Sequence, residues 1–313
     1  MSIPRQKLLT HPFSLPTLTP KTIQRAQEGL VAAQNSAVRG AIYHSLQQLE
    51  RIIEGKFDHR LSGSYRHWIL RSLIHSLFRV KIEYPERIPR NRVILVANHL
   101  NHLDPFLLLS EVPASPYYYI LGDSRSLYNK RWKRLILGLS GGVIPLQRRW
   151  GQETAIIEAV KAGNEDLKSL AEAIEENVPS GNDIKSLRQI DRAVKSILDR
   201  EEGIILFPEG RLGTTEGSLT VPLKRGTALY ALRGGVPIVP VALSGTKHLY
   251  WRKTLTLTFG EPLLFPQIKH PQRKEIEAVL ETLEKAMVEL LPKDYQEPDE
   301  PKLFANFLNQ MFY

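Results

Sequence analysis

Val93-Ile94-Leu95-Val96-Ala97-Asn98-His99-Leu100-Asn101-His102-Leu103-Asp104-Pro105 runs from an unbroken apolar stretch through a short polar turn into a proline. The apolar run predicts a short buried strand that delivers a histidine at its carboxyl end. A carboxylate follows five residues later. On one continuous helix five residues amount to about 500° of rotation, which would leave the two side chains roughly 140° apart. His99 and Asp104 therefore meet only if the chain turns sharply after the strand and then enters a helix. Pro105 suits that junction, because proline is tolerated in a first helical turn. Histidine is the side chain that titrates nearest neutrality, and a carboxylate on its other nitrogen makes it a better base.

Outward from this turn, strands and helices alternate. Lys81–Tyr84, Arg92–Ala97, Tyr117–Leu121, Gly142–Leu146, Gly203–Phe207 and Ile238–Leu243 read as strands, and Thr254–Phe259 alternates like a half-exposed one. Helices are predicted from Asp104, over Ser126–Leu137 with Gly138 as its stop, over most of 152–200, and over Leu223–Arg233 and Lys274–Leu291. Pro179–Asp183 reads as an insertion loop. Residues 21–54 form a helical region with few breakers, and Ser64–Arg79 a second one. Trp68, Ile69, Leu70, Leu73 and Phe78 interleave there with Arg66, Arg71 and His75, a mixture that suits either an interfacial helix or one packed on its own domain. The pattern predicts an α/β fold: a mainly parallel sheet covered by helices on both sides, with an added N-terminal helical region. The expected divisions are an N-terminal helical region over 1–80, an α/β domain over 81–265 with a helical insertion near 152–200, and C-terminal helices over 266–313.

The 313 residues are 42% hydrophobic, enough for a substantial core, and include no cysteine. Disulfides, thiolate zinc sites and a cysteine nucleophile are thereby excluded. No amino-terminal signal pattern is evident, and no uncharged apolar segment reaches the ~18–20 residues needed to cross a bilayer. The formal charge of +9 is uneven: Arg60 to Trp150 holds fifteen Lys/Arg against five Asp/Glu. Such asymmetry suits an anionic partner, whether lipid headgroups, an acidic carrier protein, phosphorylated small molecules or nucleic acid, or simply a solvated basic surface.

In parallel sheets, ligands bind beyond the carboxyl ends of the strands. Three loops at those ends carry chemistry: the His99 turn, Gln147-Arg148-Arg149, and Pro208-Glu209-Gly210-Arg211. Arginine offers a planar fork to phosphate, and glutamate accepts from hydroxyls or fixes that arginine; a structural ion pair is the plainer alternative. Lys224-Arg225-Gly226 follows at an expected helix start, where an anion would be welcome.

Four blocks in order resemble the glycerolipid acyltransferase superfamily, the group that includes bacterial 1-acylglycerol-3-phosphate acyltransferases. They are His99-x4-Asp104 preceded by Asn98, Gly142-Val143-Ile144-Pro145-Leu146-Gln147-Arg148, Phe207-Pro208-Glu209-Gly210-Arg211, and Val236-Pro237-Ile238-Val239-Pro240-Val241. The resemblance implies direct acyl transfer from a thioester to an alcohol, with His99 as general base and Asp104 orienting it. Backbone N–H groups near the turn would stabilise the oxyanion. Arg148, Glu209, Gly210 and Arg211 would hold the acceptor's glycerol phosphate, and no metal or cofactor is required. The implied donor is acyl-carrier protein or acyl-CoA, and the implied acceptor is lysophosphatidate, giving phosphatidate. Two departures keep glycerol 3-phosphate and lysophospholipids open as acceptors. Asn101 stands where many members carry a small hydroxyl residue, and Arg211 follows Gly210 without the usual threonine between them.

The basic stretch Lys130, Arg131, Lys133 and Arg134, beside Trp132 and Leu135, suits a donor's phosphates, an acidic carrier, anionic lipid or plain solvent. Lys224 and Arg225 are further candidates for anion or donor contact. A nucleic-acid role is the rival of a different class, but no recognisable nucleic-acid module is present. His99-x2-His102-x-Asp104 also spaces three metal-ligand types, with nothing further along to complete a site. The expected location is cytoplasmic, peripheral to the inner face of a membrane, without a transmembrane span.

Overall fold

The computed structural model describes residues 15–56, 61–181 and 183–312. In chain order the elements are α1 (Pro20–Gln34), α2 (Ser36–Ile53), α3 (Gly63–Leu77), β1 (Arg79–Glu83), β2 (Ile94–Ala97), α4 (Asp104–Glu111), β3 (Tyr118–Asp123), α5 (Ser124–Tyr128), α6 (Arg131–Ser140) and β4 (Val143–Leu146). There follow α7 (Gly151–Lys161), α8 (Lys168–Asn177), α9 (Ile184–Asp199), β5 (Gly203–Leu206), α10 (Arg225–Gly234), β6 (Ile238–Ser244), β7 (Thr254–Phe259), α11 (Arg273–Leu290) and α12 (Ala305–Phe312). They fall into two compact units: Met1–Gly40 with Gln147–Asp183, and Ala41–Leu146 with Ile184–Tyr313.

The larger unit is a seven-stranded sheet in the order β1-β7-β6-β2-β5-β3-β4. The run from β6 to β4 is parallel throughout, β7 runs antiparallel to β6, and β1 pairs with β7 in parallel. The sheet is thus mainly parallel, as the alternation of elements implied, with two reversed strands at one edge. β2 lies at its centre, and all four of its residues are buried. Ile94 and Val96 face a core shared with Ile190, Val194 and Ile197 of α9, Ala228 and Ala231 of α10, and Val279 and Leu283 of α11. Leu95 and Ala97 alternate to the opposite face and are also fully buried. Burying both faces of a parallel strand explains why β2 is a continuous apolar run rather than an alternating one.

The smaller unit packs α1, α7 and α8 around Ala26, Ala33, Ile156, Ile157, Ala171 and Ile174. Thr19 caps α1 by accepting from the Thr22 N–H at 3.2 Å. The helical region expected over 21–54 is two helices, not one. Asn35 ends α1, and its Oδ1 accepts from Ala37 and Val38 N–H at 3.0 and 3.2 Å to start α2, the usual work of asparagine at a cap.

The helix expected over Ser126–Leu137 also divides. Asp123 caps α5 by accepting from the Ser126 N–H and hydroxyl, both at 2.9 Å, and α6 begins afresh at Arg131. Gly138 does not stop α6. The stop is Gly141, whose φ of 65° is open to glycine without steric cost. Of the insertion loop, Asn182 lies outside the described residues.

Candidate active site

The chain does turn sharply after β2. Asp104 opens α4, and Pro105 sits behind it in the first turn. The Asp104 carboxylate reaches back over the turn, and its Oδ2 accepts from three donors: the Leu100 N–H at 2.7 Å, the Asn101 N–H at 2.8 Å, and His99 Nδ1 at 2.8 Å. Asn101 Oδ1 accepts from the Leu103 N–H at 3.0 Å, an Asx turn that tightens the loop. Asp104 is fully buried, and its Oδ1 has no hydrogen-bond partner among the described residues. Its charge is therefore balanced through one oxygen and by the positive end of α4. With Nδ1 donating to the carboxylate, Nε2 is the basic nitrogen. It makes no hydrogen bond with any described residue, and the His99 side chain is 15% exposed.

Two further elements fix this turn. Asn98, wholly buried, donates Nδ2 to the Leu243 carbonyl at 3.0 Å and accepts from the Leu243 N–H at 2.7 Å, stitching the end of β2 to β6. From the other side, the loop after β5 holds both backbone groups of His99. The His99 N–H donates to Glu209 Oε1 at 2.7 Å, and the His99 carbonyl accepts from the Gly213 N–H at 2.6 Å. The other oxygen of Glu209 accepts from the Thr220 N–H at 2.9 Å. Phe207 stacks on the His99 ring with centroids 4.2 Å apart.

The structure places the expected site residues unequally. His99 and Asp104 meet as the sequence implied. Glu209, expected to hold acceptor phosphate or glycerol, is 1% exposed and has both oxygens engaged by backbone N–H groups, so it braces the His99 turn. Gly210 adopts φ 65°, and a Cβ there would lie 2.7 Å from Lys224 Cε, so the Lys224 stem crosses directly over the loop. Arg211 is exposed and has no hydrogen bond or ion pair with any described residue, leaving its guanidinium available to a ligand. Arg225 opens α10 and is exposed. Arg148 belongs to the helical unit rather than to the unit carrying His99.

On α6, Arg131 is exposed, and Arg134 Nη1 is turned to the Tyr128 carbonyl at 2.7 Å. Lys130 precedes that helix as its N-cap. Lys133 departs from the expected basic face. It is 1% exposed and donates to the Ser126 carbonyl at 3.1 Å, because its position faces the domain rather than solvent. The turn N–H groups of His99, Leu100 and Asn101, expected near an oxyanion, are all engaged by carboxylates instead.

Sequence reading passed over several supports. Asn98 was only a flanking residue, and Phe207, Gly213 and Thr220 carried no role. Glu216 was also missed. It accepts from Gly245 and Lys247 N–H at 3.1 and 2.8 Å, tying the loop after β5 to the loop after β6, and burial raises its carboxyl above the usual range. The available signal was an asparagine closing a wholly apolar strand, since a buried amide requires partners.

His99 and Asp104 pair at the end of the central parallel strand β2, and the loop after β5, which carries Arg211, bonds to that turn. The Acyltransferase family model matches residues 79–244, and the chain belongs to that family. The chain is similar to the 1-acyl-sn-glycerol-3-phosphate acyltransferase of Limnanthes alba, 28% identical over 62% of this chain and 55% of that protein. It is also similar to the Cocos nucifera protein of the same name, 28% identical over 65% of this chain and 51% of that one. The chain thus spans about half the length of these curated relatives. Among solved structures it aligns with the 1-acyl-sn-glycerophosphate (LPA) acyltransferase PlsC of Thermotoga maritima at a TM-score of 0.40 and 20% identity, covering 80% of this chain and 81% of that one.

Proposed function

We propose that this protein moves a fatty acyl group from a thioester, acyl-carrier protein or acyl-CoA, to the free hydroxyl of lysophosphatidate, yielding phosphatidate. The observation that carries the reading is the 2.8 Å contact of His99 Nδ1 with a buried Asp104 carboxylate, which leaves Nε2 without a hydrogen-bond partner among the described residues. His99 Nε2 takes the hydroxyl proton as the alcohol oxygen attacks the thioester carbonyl. The C–S bond then breaks, and the imidazolium returns that proton to the leaving thiolate. Asp104 fixes the ring orientation and favours the transient imidazolium. A chain without cysteine has no acyl-cysteine route, which suits direct transfer. The relatives' shared name supports a lysophosphatidate acceptor.

Arg211 is the cation we assign to the acceptor phosphate, with Lys224 and Arg225 as further anion contacts. The chemistry is assigned to residues 81–265, with 1–80 and 266–313 as flanking helical regions. The protein would work from the cytoplasmic face, peripheral to an anionic membrane; among the described residues no helix is long and apolar enough to cross one.

The deciding experiment offers purified protein each donor with lysophosphatidate, glycerol 3-phosphate and a lysophospholipid, and identifies the lipid product. His99→Ala should lower turnover about 10²–10⁴-fold with an unchanged melting profile. A near-normal rate in that variant refutes the mechanism.

A further inference from the structure

The C-terminal helix lies outside the matched family region and is pinned to the α/β unit from one side only. Leu308 and Phe312 face inward, and the Phe312 ring lies 5.2 Å from Trp132 of α6 and 6.5 Å from Phe78. Asn309 exchanges two hydrogen bonds with the Leu249 backbone, at 2.8 and 3.0 Å, and the Trp251 N–H donates to the Leu303 carbonyl at 2.9 Å. Held this way, the segment turns Leu303, Phe304 and Phe307 outward at 52%, 67% and 64% exposure, with Trp251 at 43% on the adjoining loop.

Two backbone outliers sit in this patch. Phe304 has φ 56° and Arg252 φ 63°, the left-handed region that bulky residues rarely occupy. The fold thus holds an aromatic in a strained conformation while leaving its ring in solvent. Strain kept without compensating burial points to a role beyond packing.

The patch stands at the reacting edge of the sheet. Its loop, 245–253, follows β6, the strand beside β2, and Asn98 bonds β6 directly behind His99. Through Trp132, α12 is in contact with α6 and with Phe106, two residues after Asp104, whose ring is 5.3 Å from Trp132. From Ser124 to Leu146 there is no Asp or Glu. Lys130 and Arg131 make no ion pair with any described residue, and Leu135 and Leu139 of α6 are exposed beside them. Lys302 and Arg252 add two cations at the patch itself; Glu300 pairs with Arg79 at 4.0 Å, and the exposed Asp299 offsets one of the two.

We propose that the outer face of α12 with Trp251 is the surface by which the protein lies on an anionic bilayer. The aromatic side chains enter the headgroup–acyl boundary, and the α6 cations meet the headgroups. Exposed aromatics and leucines, with the unpaired Lys130 and Arg131 of the adjoining α6 segment, have the composition of an interfacial surface. A second copy is disfavoured as occupant, because two such faces would bring like charges together. The inference rests on the proposed reaction, whose acceptor resides in the membrane, and sets the catalytic turn on the side facing it.

The test uses the full chain with vesicles of phosphatidylcholine, alone or mixed with phosphatidylglycerol. Sedimentation with the mixed vesicles at low salt is expected. Replacing both phenylalanines (Phe304→Ser with Phe307→Ser) should weaken it about tenfold or more, given the apolar area withdrawn from the lipid. Brominated lipid should quench tryptophan emission in the parent chain and in Trp68→Phe, and much less in Trp251→Phe. The double variant should keep its turnover of a water-dispersed short-chain acceptor and lose turnover of the vesicle-borne one. Undiminished vesicle binding by that variant overturns the proposal, as does quenching that follows Trp68, or a dimer abolished by Phe307→Ser in place of vesicle binding. Failure of the parent chain on every acceptor would refute the acyl-transfer reading and leave the vesicle result to stand by itself.

Discussion

Glu209 Oε1 accepts the backbone N–H of His99 at 2.7 Å, across 110 positions of sequence. With Gly213 donating to the His99 carbonyl and Phe207 against its ring, the loop after β5 holds His99 from three sides. Glu209→Gln keeps the size but turns an amide N–H₂ toward one of two backbone donors. We expect kcat to fall about ten- to a hundredfold through misplacement of His99, with acceptor KM little changed. If Glu209 instead held the acceptor phosphate or glycerol, the loss would appear mainly in KM. Steady-state kinetics on both substrates separates the two.

Asp104 accepts three hydrogen bonds on one oxygen, two of them from the turn backbone. Asp104→Asn retains an acceptor but removes the charge facing the imidazole, so His99 loses both its fixed tautomer and the stabilisation of its protonated form. A fall in kcat of about 10²–10⁴ is expected, near that of His99→Ala. The double variant should be little worse than either single one, because the pair acts as a unit. Additive losses would mean that Asp104 acts independently of His99.

Arg211 is exposed and makes no hydrogen bond or ion pair with any described residue, so its removal should not alter thermal stability. A charge-assisted hydrogen bond to a ligand phosphate is worth about 1.5–3 kcal/mol. Arg211→Ala should therefore raise KM for lysophosphatidate roughly ten- to a hundredfold, and affect an uncharged monoacylglycerol far less. Equal losses on the charged and uncharged acceptors would remove the phosphate from the argument.

The parts of this molecule legible in its sequence are those governed by local pattern. The apolar run 93–97 with Pro105 behind the turn located β2 and α4, and with them the His99–Asp104 contact. The reversal of β7 was not legible, since its alternation predicts a half-exposed strand of either direction. The α5–α6 break and the inward turn of Lys133 escaped for a related reason: a basic amphipathic stretch does not say which of its positions meets the domain. For Glu209 the residues alone leave a ligand contact and a structural ion pair both open, and the family resemblance implies the ligand contact. Its partners are backbone N–H groups far along the chain, which side-chain patterns do not encode.

The opposite end of the parallel strands supplies a stability test that involves neither His99 nor Asp104. Glu202 immediately precedes β5, where burial pushes its carboxyl up to about 7, while Arg200, the Tyr119 hydroxyl and Arg66 act in the other direction. Arg66 is itself buried, with Nη1 donating to the Tyr118 carbonyl at 2.9 Å and its guanidinium 3.6 Å from the Tyr117 ring centre. The folded protein therefore keeps a proton on Glu202 at pH values where the unfolded chain has released it. Stability falls as pH rises from the ordinary carboxylate value of 4.5 to about 7, and this contribution is constant above that. After allowance for partial solvent screening the change is on the order of 1 kcal/mol. Glu202→Gln has no proton to lose there. Its urea-unfolding free energy should vary less between pH 5 and pH 8 than that of the parent chain, by about 1 kcal/mol. Parallel pH profiles for the two proteins would show that Glu202 ionises in the folded state as it does in the unfolded one.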